Sequence, residues 1–118
     1  MNRVIENDKV AVLISPGFGA GWSTWNSIRD GVTSDELLFD KNIVALTIQR
    51  DLGEITADQH YQLVSAYCDK VFGEGNVYCG GVDDLEIVWV PKGTLFKINE
   101  YDGSESIEYK ENDYWITA

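Results

Sequence analysis

Apolar positions follow three different patterns along this chain, and each pattern predicts a different kind of element. Val10-Ala11-Val12-Leu13-Ile14 is continuously apolar, as a strand covered on both faces must be. Val4-Ile5 precedes it across Glu6-Asn7-Asp8-Lys9, whose Asn and Asp suit the tip of a tight turn, so the two runs predict a hairpin. In the middle of the chain the apolar spacing becomes helical. Asp40 stands as a cap before Lys41–Arg50, where Ile43, Val44, Leu46 and Ile48 are apolar, and Gly53 breaks the chain afterwards. Thr56-Ala57-Asp58-Gln59 has the capping-box pattern, in which the Thr and Gln side chains each satisfy an orphan backbone donor. The helix it opens carries Val64, Tyr67, Cys68, Val71 and Phe72 at helical spacing, and Gly73 supplies a left-handed stop.

The final third reads as strands. Val77-Tyr78-Cys79, Leu85–Val90, Thr94–Asn99 and Ser104–Tyr109 are bounded by turns at Pro91-Lys92-Gly93 and Asp102-Gly103, and Tyr114-Trp115-Ile116 extends the pattern by a last short strand. Asn26 to Asp35 reads as a polar connection. The fold class is therefore α+β, an antiparallel sheet made of the N-terminal hairpin and a C-terminal meander, with two helices in the middle of the chain. No linker or repeat interrupts the sequence, so residues 1–118 are expected to form a single domain.

Composition narrows the functional classes. With 118 residues, 44% of them hydrophobic, the chain can build one real core. Twenty acidic residues against nine basic ones give a net charge of −11. A field of that sign repels phosphate backbones and anionic membrane surfaces, which argues against direct nucleic-acid or membrane binding. What remains is solubility, or a negative face aimed at a basic partner. Residues 1–6 lack the apolar run of a secretion signal, so the expected compartment is the cytoplasm, with oligomerisation left open.

Cys68 and Cys79 with the single His60 fall short of a four-ligand zinc pattern, so no metal or cofactor is expected and both thiols read as core residues. His60 opens the capped helix on its core-facing side, and no catalytic partner can be placed for it by spacing, so the chain is not expected to be an enzyme. Asp83-Asp84 and Glu100 to Glu105 read as solvated acids pointing outward from a hairpin. The alternative is an acidic contact face built on Glu100, Asp102, Glu105 and Glu108.

The most unusual stretch is Ser15 to Trp25, directly after the buried strand. Gly17, Gly19 and Gly21 let backbone approach a ligand closely, and successive free amides there can cradle an anion. Phe18, Trp22 and Trp25 offer flat faces, while Ser23, Thr24 and Asn26 offer directed hydrogen bonds. Arg29 and Lys92 are the best-placed counter-charges for an anionic ligand. The dinucleotide fingerprint fails because Trp22 stands where a small residue is needed, and a phosphate-gripping loop fails because no Lys follows the glycines. Three readings stay open for the loop: a ligand pocket, a protein-contact surface, or a lid whose two tryptophans plug the core.

The segments VAVLISPGFGAGWSTW (10–25), DLEIVWVPKGT (84–94) and EYDGSESI (100–107) resemble a group of small accessory proteins carried by tailed bacteriophages and prophages. That resemblance implies a host-directed role, such as countering immunity by sequestering a nucleotide signal or by blocking a host protein. The leading expectation is a non-enzymatic anti-defence protein that sequesters a nucleotide-like small molecule between the Gly/Trp loop and the C-terminal sheet. The alternative is an acidic inhibitor that covers a basic, nucleic-acid-binding site on a host defence enzyme.

Overall fold

The computed structural model describes residues 3–18, 21–26, 28–29 and 32–110. The expected strand at 114–116 lies outside these residues. The element order is β1 (Ile5–Glu6), β2 (Lys9–Ile14), β3 (Ile28–Arg29), β4 (Val32–Thr33), α1 (Ser34–Phe39), α2 (Lys41–Asp51), α3 (Ala57–Phe72), β5 (Glu86–Pro91), β6 (Phe96–Tyr101) and β7 (Ser104–Tyr109). The class is α+β, with antiparallel pairing throughout.

The β1–β2 turn places Asn7 and Asp8 at φ 51° and 61°, the left-handed pair that a two-residue hairpin requires and that Asn and Asp tolerate best. Asp102 and Gly103 repeat the arrangement between β6 and β7, at φ 50° and 84°. The two long helices are capped as expected. Asp40 Oδ1 accepts from Asn42 N and Ile43 N at 2.9 and 3.0 Å. The capping box of α3 is complete, with Gln59 N donating to Thr56 Oγ1 at 3.1 Å and Thr56 N to Gln59 Oε1 at 2.8 Å. Val71 departs from its expected core position and is exposed.

The strands do not form one continuous meander. β2 is the centre of a sheet ordered β1-β2-β5, while β6 and β7 pair only with each other. This sheet is covered on both faces, which explains why β2 is apolar at every position from Val10 to Ile14. Ala11 and Leu13 join Ile43, Val44, Val64 and Cys68 in a core beneath α2 and α3. Val10, Val12 and Ile14 face the other way, toward Phe96, Ile98, Ile107 and Tyr109 of the β6–β7 hairpin. Facing residues of β5 keep the same parity, since Val12 pairs with Val88 and Leu13 with Ile87.

Two features of the middle region escaped the sequence reading. Residues 26–35 contain the small β3–β4 hairpin, and α1 adds a third helix, whose Leu37 enters the helix-side core while Leu38 and Phe39 enter the other. At six residues, α1 is too short to show a helical period. Val77–Cys79 forms no strand. Its nearest polar partner is Asn26, so backbone bonds that a strand would use go to a side chain instead.

His60 is fully buried on α3. Its Nε2 lies 3.0 Å from Thr47 Oγ1, whose hydroxyl donates to Ile43 O at 2.9 Å, so Nε2 carries the proton and Nδ1 is left without a partner. Burial, and secondarily the Arg50 cation, push the imidazole down from its ordinary 6.5 to about 4. Above pH 6.5 the ring is neutral in both folded and unfolded chains. Below it the unfolded chain takes up a proton that the folded chain refuses until about pH 4, so stability falls across that window, by roughly 3 kcal/mol. In urea titrations at pH 7 and pH 4, a His60→Leu variant should escape this loss. The wild-type advantage should shrink by about that amount, and a constant difference would contradict the assignment.

Candidate functional site

The Gly/Trp loop does gather backbone amides around an anion, and the anion belongs to the chain itself. Glu105, only 1% exposed, reaches from β7 into the loop. Its Oε1 accepts from Ser15 N at 2.9 Å. Its Oε2 accepts from Trp22 N at 2.8 Å, Thr24 N at 3.0 Å and Thr24 Oγ1 at 2.6 Å. A buried carboxylate is tolerable only when charge-assisted hydrogen bonds replace its water, and four of them do so here. Backbone completes the junction. Glu105 N donates to Ser15 O at 2.9 Å, and Ser104 Oγ donates to Pro16 O at 2.6 Å.

This corrects the reading of Glu105 as an outward acid. The sequence does hold the signal: Glu105 shares strand parity with Ile107 and Tyr109, the inward residues of β7. Glu100, Asp102 and Glu108 are exposed, as an acidic face requires. Glu100 Oε2 accepts from Gly103 N at 2.7 Å and Glu108 pairs with Lys97 at 3.2 Å.

The loop's aromatic residues separate. Trp22, expected as a possible ligand wall, is 0% exposed in the helix-side core, and its indole Nε1 donates to Leu37 O at 3.0 Å. It is a plug. Trp25 is 39% exposed and packs on Tyr78, ring centroids 5.5 Å apart. Gly21 lies directly beneath it, where a Cβ would come within 2.5 Å of the indole, so only glycine lets that ring lie flat on the loop. Ser23 is buried. Asn26 holds the loop rather than a ligand: its Nδ2 donates to Trp22 O at 2.8 Å and Tyr78 O at 3.0 Å, and its Oδ1 accepts from Tyr78 N at 2.8 Å.

Phe18 points away from all of these. It is 73% exposed and meets Tyr101, 77% exposed, edge to face at 6.4 Å. Beneath it, Gly17 packs on Asp84, whose carboxylate occupies the space a Cβ would need. Asp84, Glu100 and Asp102 are exposed; Asp84 meets Gly17, and Glu100 and Asp102 are the chain neighbours of Tyr101. Tyr101 was absent from the sequence-based set because nothing along the chain relates position 101 to position 18.

Of the expected counter-charges, Lys92 does not meet the loop. Lys92 follows Pro91, which pairs with Lys9 at the start of β2, whereas the loop leaves the far end after Ile14. Six residues of strand place these ends about 17 Å apart. Arg29 lies on β3, and Gly19 falls outside the described residues. Arg3 is better placed. Its guanidinium sits 3.9 Å above the Phe39 ring, on the rim of a cleft of about 560 Å³ between the loop and β6. Ser23, Thr24, Asp35 and Phe96 also border that cleft.

No family model, curated protein or solved structure matches this chain. Among the described residues, no cluster of three His, Cys, Asp or Glu side chains could hold a metal ion, and no helix is long and apolar enough to cross a membrane. His60 does not border the cleft.

The Glu105 cluster has a direct test. Glu105→Gln keeps the shape but turns an amide N–H₂ toward amide donors, stranding at least one of them in the interior. The expected cost is about 3 kcal/mol, read as a lowered urea midpoint. Glu108→Gln on the exposed face of the same strand should leave the urea midpoint nearly unchanged. Equal effects from the two would remove Glu105 from its structural role.

Proposed function

We propose that this chain is a non-enzymatic binding protein that docks on a basic protein surface through the tip formed by Phe18 and Tyr101. The observation that carries the reading is the contact between two rings that are 73% and 77% exposed, on backbone fixed from below by Glu105. A single exposed aromatic residue is ordinary. Two in contact, held by a pinned loop and a tight hairpin, make an anchor that binds without first being ordered.

The surrounding charge specifies the partner. Asp84 meets Gly17 next to Phe18, Glu100 and Asp102 adjoin Tyr101 in the chain, all three are exposed, and the whole chain carries −11. A guanidinium or ammonium group suits such a tip, because ring faces attract cations and carboxylates pair with them. The resemblance to phage accessory proteins supplies the context: the partner would be a host defence enzyme, and the surface covered its nucleic-acid-binding site.

A second reading keeps a nucleotide-like ligand, and the cleft bordered by Arg3, Ser23, Thr24 and Phe96 favours it. There Arg3 would provide the counter-charge in place of Arg29 or Lys92, and Phe39 and Phe96 the apolar wall. Sequestration would then involve the cleft-facing edge of the Gly/Trp loop rather than its aromatic residues.

Calorimetric titration with an oligo-arginine peptide separates the two. Tip docking predicts binding that weakens steeply with salt. It should also weaken about tenfold in a Phe18→Ala/Tyr101→Ala variant, whose net charge is unchanged, from the loss of two cation–π contacts. Undiminished affinity in the double variant would overturn the tip. Binding of a nucleoside monophosphate that is lost in Arg3→Ala would favour the cleft.

A further inference from the structure

We propose that the corner between the Phe18 and Tyr101 rings is a receptor for a methylated ammonium group, carried by a trimethylated lysine side chain on the protein partner. The inference rests on the reading of the tip as a cation-binding anchor and narrows the cation it takes. The two rings stand nearly perpendicular, at 84°, with centroids 6.4 Å apart. Perpendicular faces enclose a corner. A cation on its bisector lies about 4.5 Å from each ring centroid, inside the roughly 6 Å over which a ring face attracts a cation. Phe18 and Tyr101 are the two most exposed large apolar residues among those described, so the chain itself leaves the ring faces open. The corner is also set before anything binds. Gly103 N donates to Glu100 Oε2 at 2.7 Å across the turn that follows Tyr101. Ser104 Oγ donates to Pro16 O at 2.6 Å, which ties that turn to the chain just before Phe18.

The neighbours of the corner favour a cation without N–H groups. A lysine ammonium is compact and strongly hydrated, and it gives up its water readily only where acceptors take its N–H bonds. Ring faces attract charge but offer no such acceptor. Glu100 leaves β6 on the face opposite Tyr101, because successive strand side chains alternate, and one of its oxygens is engaged by Gly103 N. Across the ladder Tyr101 pairs with Ser104, whose hydroxyl is spent on Pro16. Three N-methyl groups remove the N–H bonds, spread the charge and present apolar contact to both rings, so such a group loses little on leaving water. The exposed carboxylates of Glu100 and Asp102, with the chain's charge of −11, add an attraction that does not depend on N–H groups.

The test is calorimetric titration of the folded chain with one short lysine peptide in three versions: unmodified, trimethylated, and trimethylated with carbon in place of the charged nitrogen. The trimethylated peptide should bind about tenfold more tightly than the unmodified one, and the neutral carbon analogue should lose that gain. The gain should vanish in Phe18→Ala and in Tyr101→Ala, both truncations at the surface, and persist in Phe18→Trp, which keeps a ring face. Equal affinity for the unmodified and trimethylated peptides, both weakened in Phe18→Ala/Tyr101→Ala, would overturn the methylammonium preference while leaving tip docking on ordinary cations in place. A carbon analogue as tight as the trimethylated peptide would overturn it in favour of apolar contact alone. Tighter binding to phosphatidylcholine vesicles than to the trimethylated peptide would overturn the choice of a protein partner.

Discussion

A buried carboxylate must be surrounded by donors, and in this protein Glu105 meets that requirement by collecting the backbone of a distant loop. Ser15, Trp22 and Thr24 all turn their N–H groups toward it. Without the carboxylate those amides would be buried and unpaired; without the amides the charge could not be buried. The hairpin β6–β7 and the loop after β2 are therefore mutually dependent. Trp22 can occupy the core because its own N–H is satisfied at Glu105 while its indole N–H finds Leu37.

This junction also explains the three-layered architecture. β2 stands between α2 and α3 on one side and β6–β7 on the other, and the β6–β7 sheet shares no ladder with it. Apolar contact is non-directional and sets no register between unpaired sheets. The directional bonds from Glu105 to the loop, together with Ser104 to Pro16, provide that register at one end.

A loop tied down in this way has given three of its backbone amides to an internal carboxylate. Its Ser15, Trp22 and Thr24 amides are already engaged, its first tryptophan is buried and its second leans on Tyr78, while Phe18 with Tyr101 faces outward. In the proposed docking, the negative charge of the chain would give the tip a preference in partner as well as a shape.

The sequence by itself determined whatever depends on near neighbours. The hairpin tips at Asn7-Asp8 and Asp102-Gly103, the Asp40 and Thr56 caps and the double burial of β2 were legible because turn chemistry, capping and periodicity act within a few residues. So was the singular character of the loop at 15–25. Short α1 and the β3–β4 hairpin were not, since neither is long enough to express a period. Only the tertiary structure decided the rest. It separated β6–β7 from the main sheet, sent Trp22 inward and Phe18 outward, placed Lys92 at the far end of β2 and filled the loop's anion site with a residue about ninety positions away. A polar side chain's partner is set by what the fold brings within about 3 Å of it. For Glu105, strand parity gave its direction, but only folding could supply the donors that hold it there.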